Sequence, residues 1–134
     1  MEQSNVKKTA IIAVVIFIGM ICFQLLLALG FPIGFLAWGG EYEVLPFELR
    51  LASLFAVVIF VIASVLVLSR AEIIKNIDRP KFLKYSVLIL AIYFAFNVFM
   101  NLLSVSMWEK LIMIPIALSS SILCFIVALG PDSN

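Results

Sequence analysis

Apolar residues in this chain neither alternate nor trace a single helical stripe. They run almost unbroken in four blocks, from about Thr9 to Leu29, Leu51 to Leu68, Tyr85 to Val105 and Leu111 to Leu129. A helix needs roughly 20 mostly apolar residues to cross a bilayer core. None of the four blocks holds Asp, Glu, Lys, Arg or His, and Gln24 is the strongest polar interruption of the first. Backbone in lipid is satisfied only in helices or closed barrels. The period-2 pattern of a barrel strand is missing, so the blocks predict helices. The expected fold is an all-α membrane protein, a single four-transmembrane-helix bundle over residues 1–134.

The first block, preceded by Lys7 and Lys8 and ending in Ala28-Leu29-Gly30, could be a cleaved signal peptide. An apolar signal core is about 7–15 residues long, and this one is longer, which favours a retained helix. Basic residues beside the spans set orientation. Seven of the nine (Lys7, Lys8, Arg70, Lys75, Arg79, Lys81 and Lys84) flank one side, while Arg50 and Lys110 flank the other. Both termini and the middle loop are expected to be cytoplasmic, in a multi-pass protein of the cell (plasma) membrane.

Helix boundaries can be read locally. Ser106-Met107-Trp108-Glu109 has the spacing of a capping box, in which a hydroxyl and a carboxylate satisfy orphan N–H groups at a helix start. Pro80 suits the first turn of the third helix with Asp78 as its cap, and Pro46 suits the first turn of the second, followed by Glu48.

The external loop between the first two helices, GFPIGFLAWGGEYEVLPFELR from Gly30 to Arg50, is unusually apolar. Gly30, Pro32 and Gly34 break any continuing helix. Phe31, Ile33, Phe35, Leu36 and Trp38 should lie at headgroup level or fold back over the bundle. Two readings compete. The preferred one is a membrane-hugging connector with solvated carboxylates. The other is a lid over an outward-facing cavity, with Trp38 above it and Glu41 and Glu43 at its mouth. Arg50, at the membrane edge, should anchor the helix by snorkelling or by pairing with Glu48 or Glu43.

The motif Leu29-Gly30-x-Pro32-x-Gly34-x-x-Ala37-Trp38-Gly39-Gly40, followed by Val44-Leu45-Pro46-x-x-Leu49-Arg50-x-x-Ser53, resembles a group of small prokaryotic four-helix integral membrane proteins. Ser106, Trp108-Glu109, Pro115 and Cys124…Ala128-Leu129 are similar to it as well. The resemblance implies four membrane helices and marks the loop as the group's signature. It implies no activity.

Ser86, Tyr93, Asn97, Asn101 and Ser104 recur at spacings that put them on one face of the third helix. At 1.5 Å per residue, Asn97 and Asn101 stand roughly 18 and 24 Å above the cytoplasmic edge, and Gln24 about 22 Å. Ser119, Ser120 and Ser121 fall between about 12 and 15 Å. These groups either hydrogen-bond across helices as packing glue, the preferred reading, or line a polar cavity under the external loop. Pro115 should loosen the fourth helix nearby. Cys22 and Cys124 differ in height by about 12 Å, beyond the roughly 7 Å Cα limit of a disulfide, and are expected to be small buried apolar residues.

Composition narrows the function. The chain is 65% hydrophobic and 13% charged, with no histidine and a net charge of +1. Its mean hydropathy is +1.24. Without histidine, paired cysteines or an intramembrane ionisable group, catalysis lacks its acid, base or metal, so an enzyme, a metal site and a cofactor are not expected. Proton-coupled transport is disfavoured for want of a carboxylate in a span. Near-neutral charge gives no reason to expect nucleic acid. Three readings stay open. The first is a non-enzymatic accessory or regulatory component, whose partners would be the bilayer and another membrane protein or a second copy. The second is a facilitator or binding protein for a small apolar or zwitterionic ligand in the outer half of the bundle. The third, least favoured, is surface catalysis by Glu41 or Glu43. Mutual hydrogen bonds among Gln24, Asn97, Asn101 and the serines would remove the motive for the second reading. An open cavity lined by them beneath Trp38 would put it first.

Overall fold

The computed structural model describes residues 2–132. Four helices follow one another: α1 (Gln3–Ala28), α2 (Phe47–Arg70), α3 (Pro80–Leu102) and α4 (Met107–Ala128). Among the described residues the only other regular element is a 3-10 turn, Gly34–Leu36, in the loop after α1. Each helix is long and apolar enough to cross a membrane. With 22 to 26 residues, the helices span roughly 33–39 Å. Large apolar side chains such as Ile11, Val15, Phe55, Ile62, Ile89 and Phe96 face outward. That arrangement suits lipid, where outward apolar groups cost nothing.

Each helix starts ahead of its apolar block, and α2 also ends beyond its own, because helical hydrogen bonding continues past the apolar residues. α1 gains a polar turn before Thr9, and α2 ends on Arg70. Three boundary details depart from expectation. Pro46 is the cap residue of α2 and not part of its first turn. Arg79, not Asp78, occupies the cap position of α3, and no side chain caps it. Ser104 lies beyond α3, which stops at Leu102. Pro115 sits within an unbroken α4. α1 and α2 each end in paired 6→1 and 5→2 backbone bonds (Phe31 N–H to Leu26 and Gly30 N–H to Leu27; Ile73 N–H to Leu68 and Glu72 N–H to Ser69). This is the Schellman pattern that satisfies terminal carbonyls. In the second, Glu72 takes a left-handed φ of 61°.

The bundle is two hairpins, α1–α2 and α3–α4, which form its largest contacts, closed into a ring by α1 against α4 and α2 against α3. Its two halves pack differently. Towards the termini, Val6, Ala10, Ala13, Ala63, Val67, Val87, Ala91, Cys124, Val127 and Ala128 form one buried cluster. Small residues let backbones approach closely, the usual basis of helix association in lipid. Phe17, Phe60 and Phe94 close this half, with ring centroids 5.4 to 6.0 Å apart. Beyond these rings, towards the 29–46 loop, the bundle hollows out.

The termini end is stitched by Arg70. Its side chain is buried and donates through Nε and Nη2 to the Ala128 carbonyl (3.2 and 2.7 Å) and through Nη2 to that of Gly130 (2.8 Å). Nη1 pairs with Asp132 at 2.6 Å. The last turn of α4 thus receives a cation where its dipole favours one. Gln3 donates to the Ala71 carbonyl at 2.9 Å, tying α1 to the same face. The start of α1, the residues from Ala128 to Asp132 and the beginning of the 71–79 loop therefore share one face of the bundle.

Candidate functional site

Of the two placements open to it, the loop after α1 takes the second and folds back over the end of the bundle. Ala37 and Leu45 are buried with Leu27 in a small second core, backed by Phe23, Ile33 and Leu49. Its backbone locks onto itself through Gly34 N–H to Glu43 O (2.7 Å) and onto the α3–α4 turn through Val105 N–H to Gly39 O (3.2 Å). The Ser104 hydroxyl donates to the same Gly39 carbonyl at 3.1 Å. Arg50 Nε donates to the Ala28 carbonyl at 2.8 Å. It therefore caps α1 from the next helix, and pairs with neither Glu43 nor Glu48.

Beneath this loop lies a cavity of about 490 Å³. Ligand pockets run from about 300 to 1,000 Å³. All four helices contribute to its wall, with Phe60 and Phe94 at its base and Leu36, Ala37, Trp38 and Gly39 as its roof. Its most exposed lining residues are Trp38, Tyr93, Met100 and Leu103, which places its mouth along α3 under the loop.

Of the residues singled out from sequence, Gln24, Tyr93, Asn97, Asn101 and Trp38 line this cavity, whereas Ser119 does not. Ser119 faces outward, and its neighbour Ser120 takes the inward position. Ser121 donates instead to the Ala91 carbonyl at 2.8 Å. One residue is a turn of about 100° on a helix, and a helix apolar all round gives no clue to its inward face. Glu41 and Glu43 are exposed and are not in the cavity wall. The carboxylates of the lid reading therefore point to solvent, while Leu36, Ala37, Trp38 and Gly39 of the loop line the cavity. Cys22, expected to be buried, is exposed.

The intramembrane amides do not bond to one another. Asn97 Nδ2 donates back to the Tyr93 carbonyl of its own helix at 3.2 Å. Gln24 is 8% exposed, and its Oε1 has no donor.

Glu109 is the residue that the sequence pattern misplaced. Half of the expected capping box forms: Ser106 Oγ accepts from the Glu109 N–H at 3.2 Å. The reciprocal half does not, because the Ser106 N–H goes to Ser104 Oγ at 3.1 Å. Its cap duty taken, the Glu109 carboxylate turns into the cavity, 3% exposed. The Gly39 amide and Ser104 lie beside it. Ser104 has one proton, committed to the Gly39 carbonyl, and Glu109 Oε2 is left without a donor. The expectation that nothing ionisable reaches the bundle interior is thus corrected at Glu109, and at Arg70 on the opposite end. The available signal was Ser104-x-Ser106-x-x-Glu109, where a second serine competes for the amide.

Trp38 is held in place by its indole N–H, which donates to the buried Ser53 Oγ at 2.9 Å. Its backbone has φ of 53°, a left-handed conformation that is an outlier for a bulky residue. Ser53→Ala is expected to release the ring at a cost of about 1 kcal/mol. In a Trp108→Phe background, Trp38 emission should then shift to the red. An unchanged spectrum would mean that the indole is held by packing alone.

No protein-family model, curated protein or solved structure matches the chain.

Proposed function

We propose that this is a multi-pass protein of the cell membrane, with both termini cytoplasmic, that binds or facilitates passage of a small ligand in the outer half of its bundle. The observation carrying this reading is the cavity beneath Trp38, walled by Gln24, Asn97 and Asn101, none of which spends its side chain on another helix. Polar groups kept as packing glue would be bonded across helices. The orientation rests on the seven basic residues that flank one side of the four spans, against two on the other. The role is non-catalytic: the wall offers one carboxylate and no histidine or cysteine to complete an acid–base or nucleophilic pair.

Native mass spectrometry of protein extracted into lipid nanodiscs tests this reading. The wild-type protein should retain a small-molecule adduct that Ala117→Phe, which fills the wall, and Asn97→Leu lose, with melting midpoints preserved. Identical spectra for all three, together with a reproducibly co-purifying protein, would favour the accessory-subunit reading instead.

A further inference from the structure

The chemistry of the cavity narrows the class of ligand, and this step rests on the binding reading above. Gln24 from α1 and Glu109 from α4 line the same space, both more than nine-tenths buried. Each keeps one oxygen, Gln24 Oε1 and Glu109 Oε2, with no donor. An amide oxygen and a carboxylate oxygen accept and cannot donate, so what satisfies both must bring N–H or O–H groups. A buried carboxylate in a membrane protein is costly until a positive charge or strong donors face it. No Lys, Arg or His lines the wall. An anion, or the carboxylate of a zwitterion, would find no counter-charge there. The same wall carries Phe23, Trp38, Phe60, Tyr93 and Phe94, and aromatic faces attract cations. A metal ion fits poorly, since the described residues hold no group of three His, Cys, Asp or Glu side chains.

We propose that the cavity selects a small organic ammonium, primary or secondary, with an apolar substituent. Its N–H groups bond Glu109 Oε2 and Gln24 Oε1, and its carbon skeleton lies on the aromatic wall. Glu109 supplies the charge, Gln24 the second acceptor, and Trp38 covers the head from above. Of the ligand types open from sequence, the apolar part is kept and the zwitterion gives way to a cation.

The probes are butylammonium, butanol and butyrate, titrated at neutral pH into nanodisc-embedded protein by calorimetry, with empty nanodiscs as the blank. The wild-type protein should bind butylammonium about tenfold or more tighter than butanol, and butyrate not at all. Glu109→Gln is close to isosteric and should cost butylammonium about tenfold while leaving butanol within about twofold. Gln24→Leu should reduce butylammonium binding by a smaller factor. Butanol binding as tightly as butylammonium to the wild-type protein overturns the ammonium assignment and leaves the binding reading standing. Failure of all three probes overturns the ammonium assignment, and the binding reading falls with it only if the wild-type protein also retains no adduct that Ala117→Phe loses. The wild-type comparison decides the matter even if a variant folds poorly, and a melting curve for each variant separates lost binding from lost fold.

Discussion

Arg70→Met is expected to lower the melting midpoint of the detergent-purified protein by on the order of 10 °C. The guanidinium is buried and bonds two backbone carbonyls, Ala128 and Gly130, at the end of α4. Methionine fills similar space and packs acceptably, but it donates nothing. The terminal carbonyls then lose partners that the helix itself cannot provide. Bonds to charged groups are worth about 1.5–3 kcal/mol each and do not simply add, which puts the loss at about 3–5 kcal/mol. For a chain of this size, 1 kcal/mol moves the midpoint by about 2–8 °C. Arg70→Lys should recover only part of it, since one ammonium lacks the planar fork that bonds the two carbonyls through Nε and Nη2 and Asp132 through Nη1 at once. A midpoint within 2–3 °C of wild type for Arg70→Met would show that the end of α4 is held by its apolar face alone.

The same site has a pH signature. The hydrogen bond from Arg70, then its charge, hold the exposed Asp132 carboxyl below its ordinary value. A carboxyl with a depressed folded pKa stabilises the fold above its unfolded value and loses that contribution as pH falls through the folded one. The wild-type protein should therefore lose a small increment of stability in acid, below the ordinary carboxylate range. Arg70→Met should lack that increment, and Asp132→Asn should abolish it while leaving the two carbonyl bonds in place.

What could be read from the chain followed from how far each residue's behaviour depends on its neighbours in sequence. The four helices were legible because lipid imposes one requirement on every residue of a span, and long apolar runs meet it in no other way. The apolar stretch from Phe31 to Trp38 left two places open to the loop, headgroup level or the end of the bundle, and the choice depends on Ala37 and Leu45 meeting Leu27 of α1. The cavity wall was legible on α3, where Tyr93, Asn97 and Asn101 mark one face against an apolar background. It was not legible on α4, where three consecutive serines cover most of the helix circumference. Glu109 was hidden by a sound local rule. A capping box needs only four residues, and what cancels it here is Ser104, brought in by the turn that also receives Gly39. Arg70 looked like one more basic residue of a cytoplasmic loop. Its role depends on the end of α4, 58 residues away, which no pattern in one segment could supply.

The cavity depends on how its roof is seated, and two adjacent glycines separate the causes. Gly39 and Gly40 both have left-handed φ, 88° and 77°. A Cβ on Gly39 would meet nothing within 4 Å, whereas one on Gly40 would collide with Ser106 Cβ and press on Phe35 O and Ser106 N, each at 3.2 Å. Alanine at position 39 should therefore cost only the backbone conformation, about 1–2 kcal/mol, with the roof in place. Alanine at position 40 carries the same backbone cost and also pushes the loop off the α3–α4 turn. Gly39 O then loses the Val105 N–H and the Ser104 hydroxyl, worth about 1 kcal/mol each. Ser104, freed from that carbonyl, can turn its proton to the Glu109 carboxylate and satisfy the acceptor that the ligand needs. Gly40→Ala should thus weaken butylammonium binding by about a hundredfold, roughly 2.7 kcal/mol, and accelerate amide exchange at residues 36–40. The small-residue core from Val6 to Ala128 lies in the other half of the bundle, so global melting should fall much less than for Arg70→Met. Gly39→Ala should stay within about tenfold of wild type in binding. If the two variants bind alike, the seating of the loop on Ser106 does not control the site, and the roof is held by its own small core of Leu27, Ala37 and Leu45.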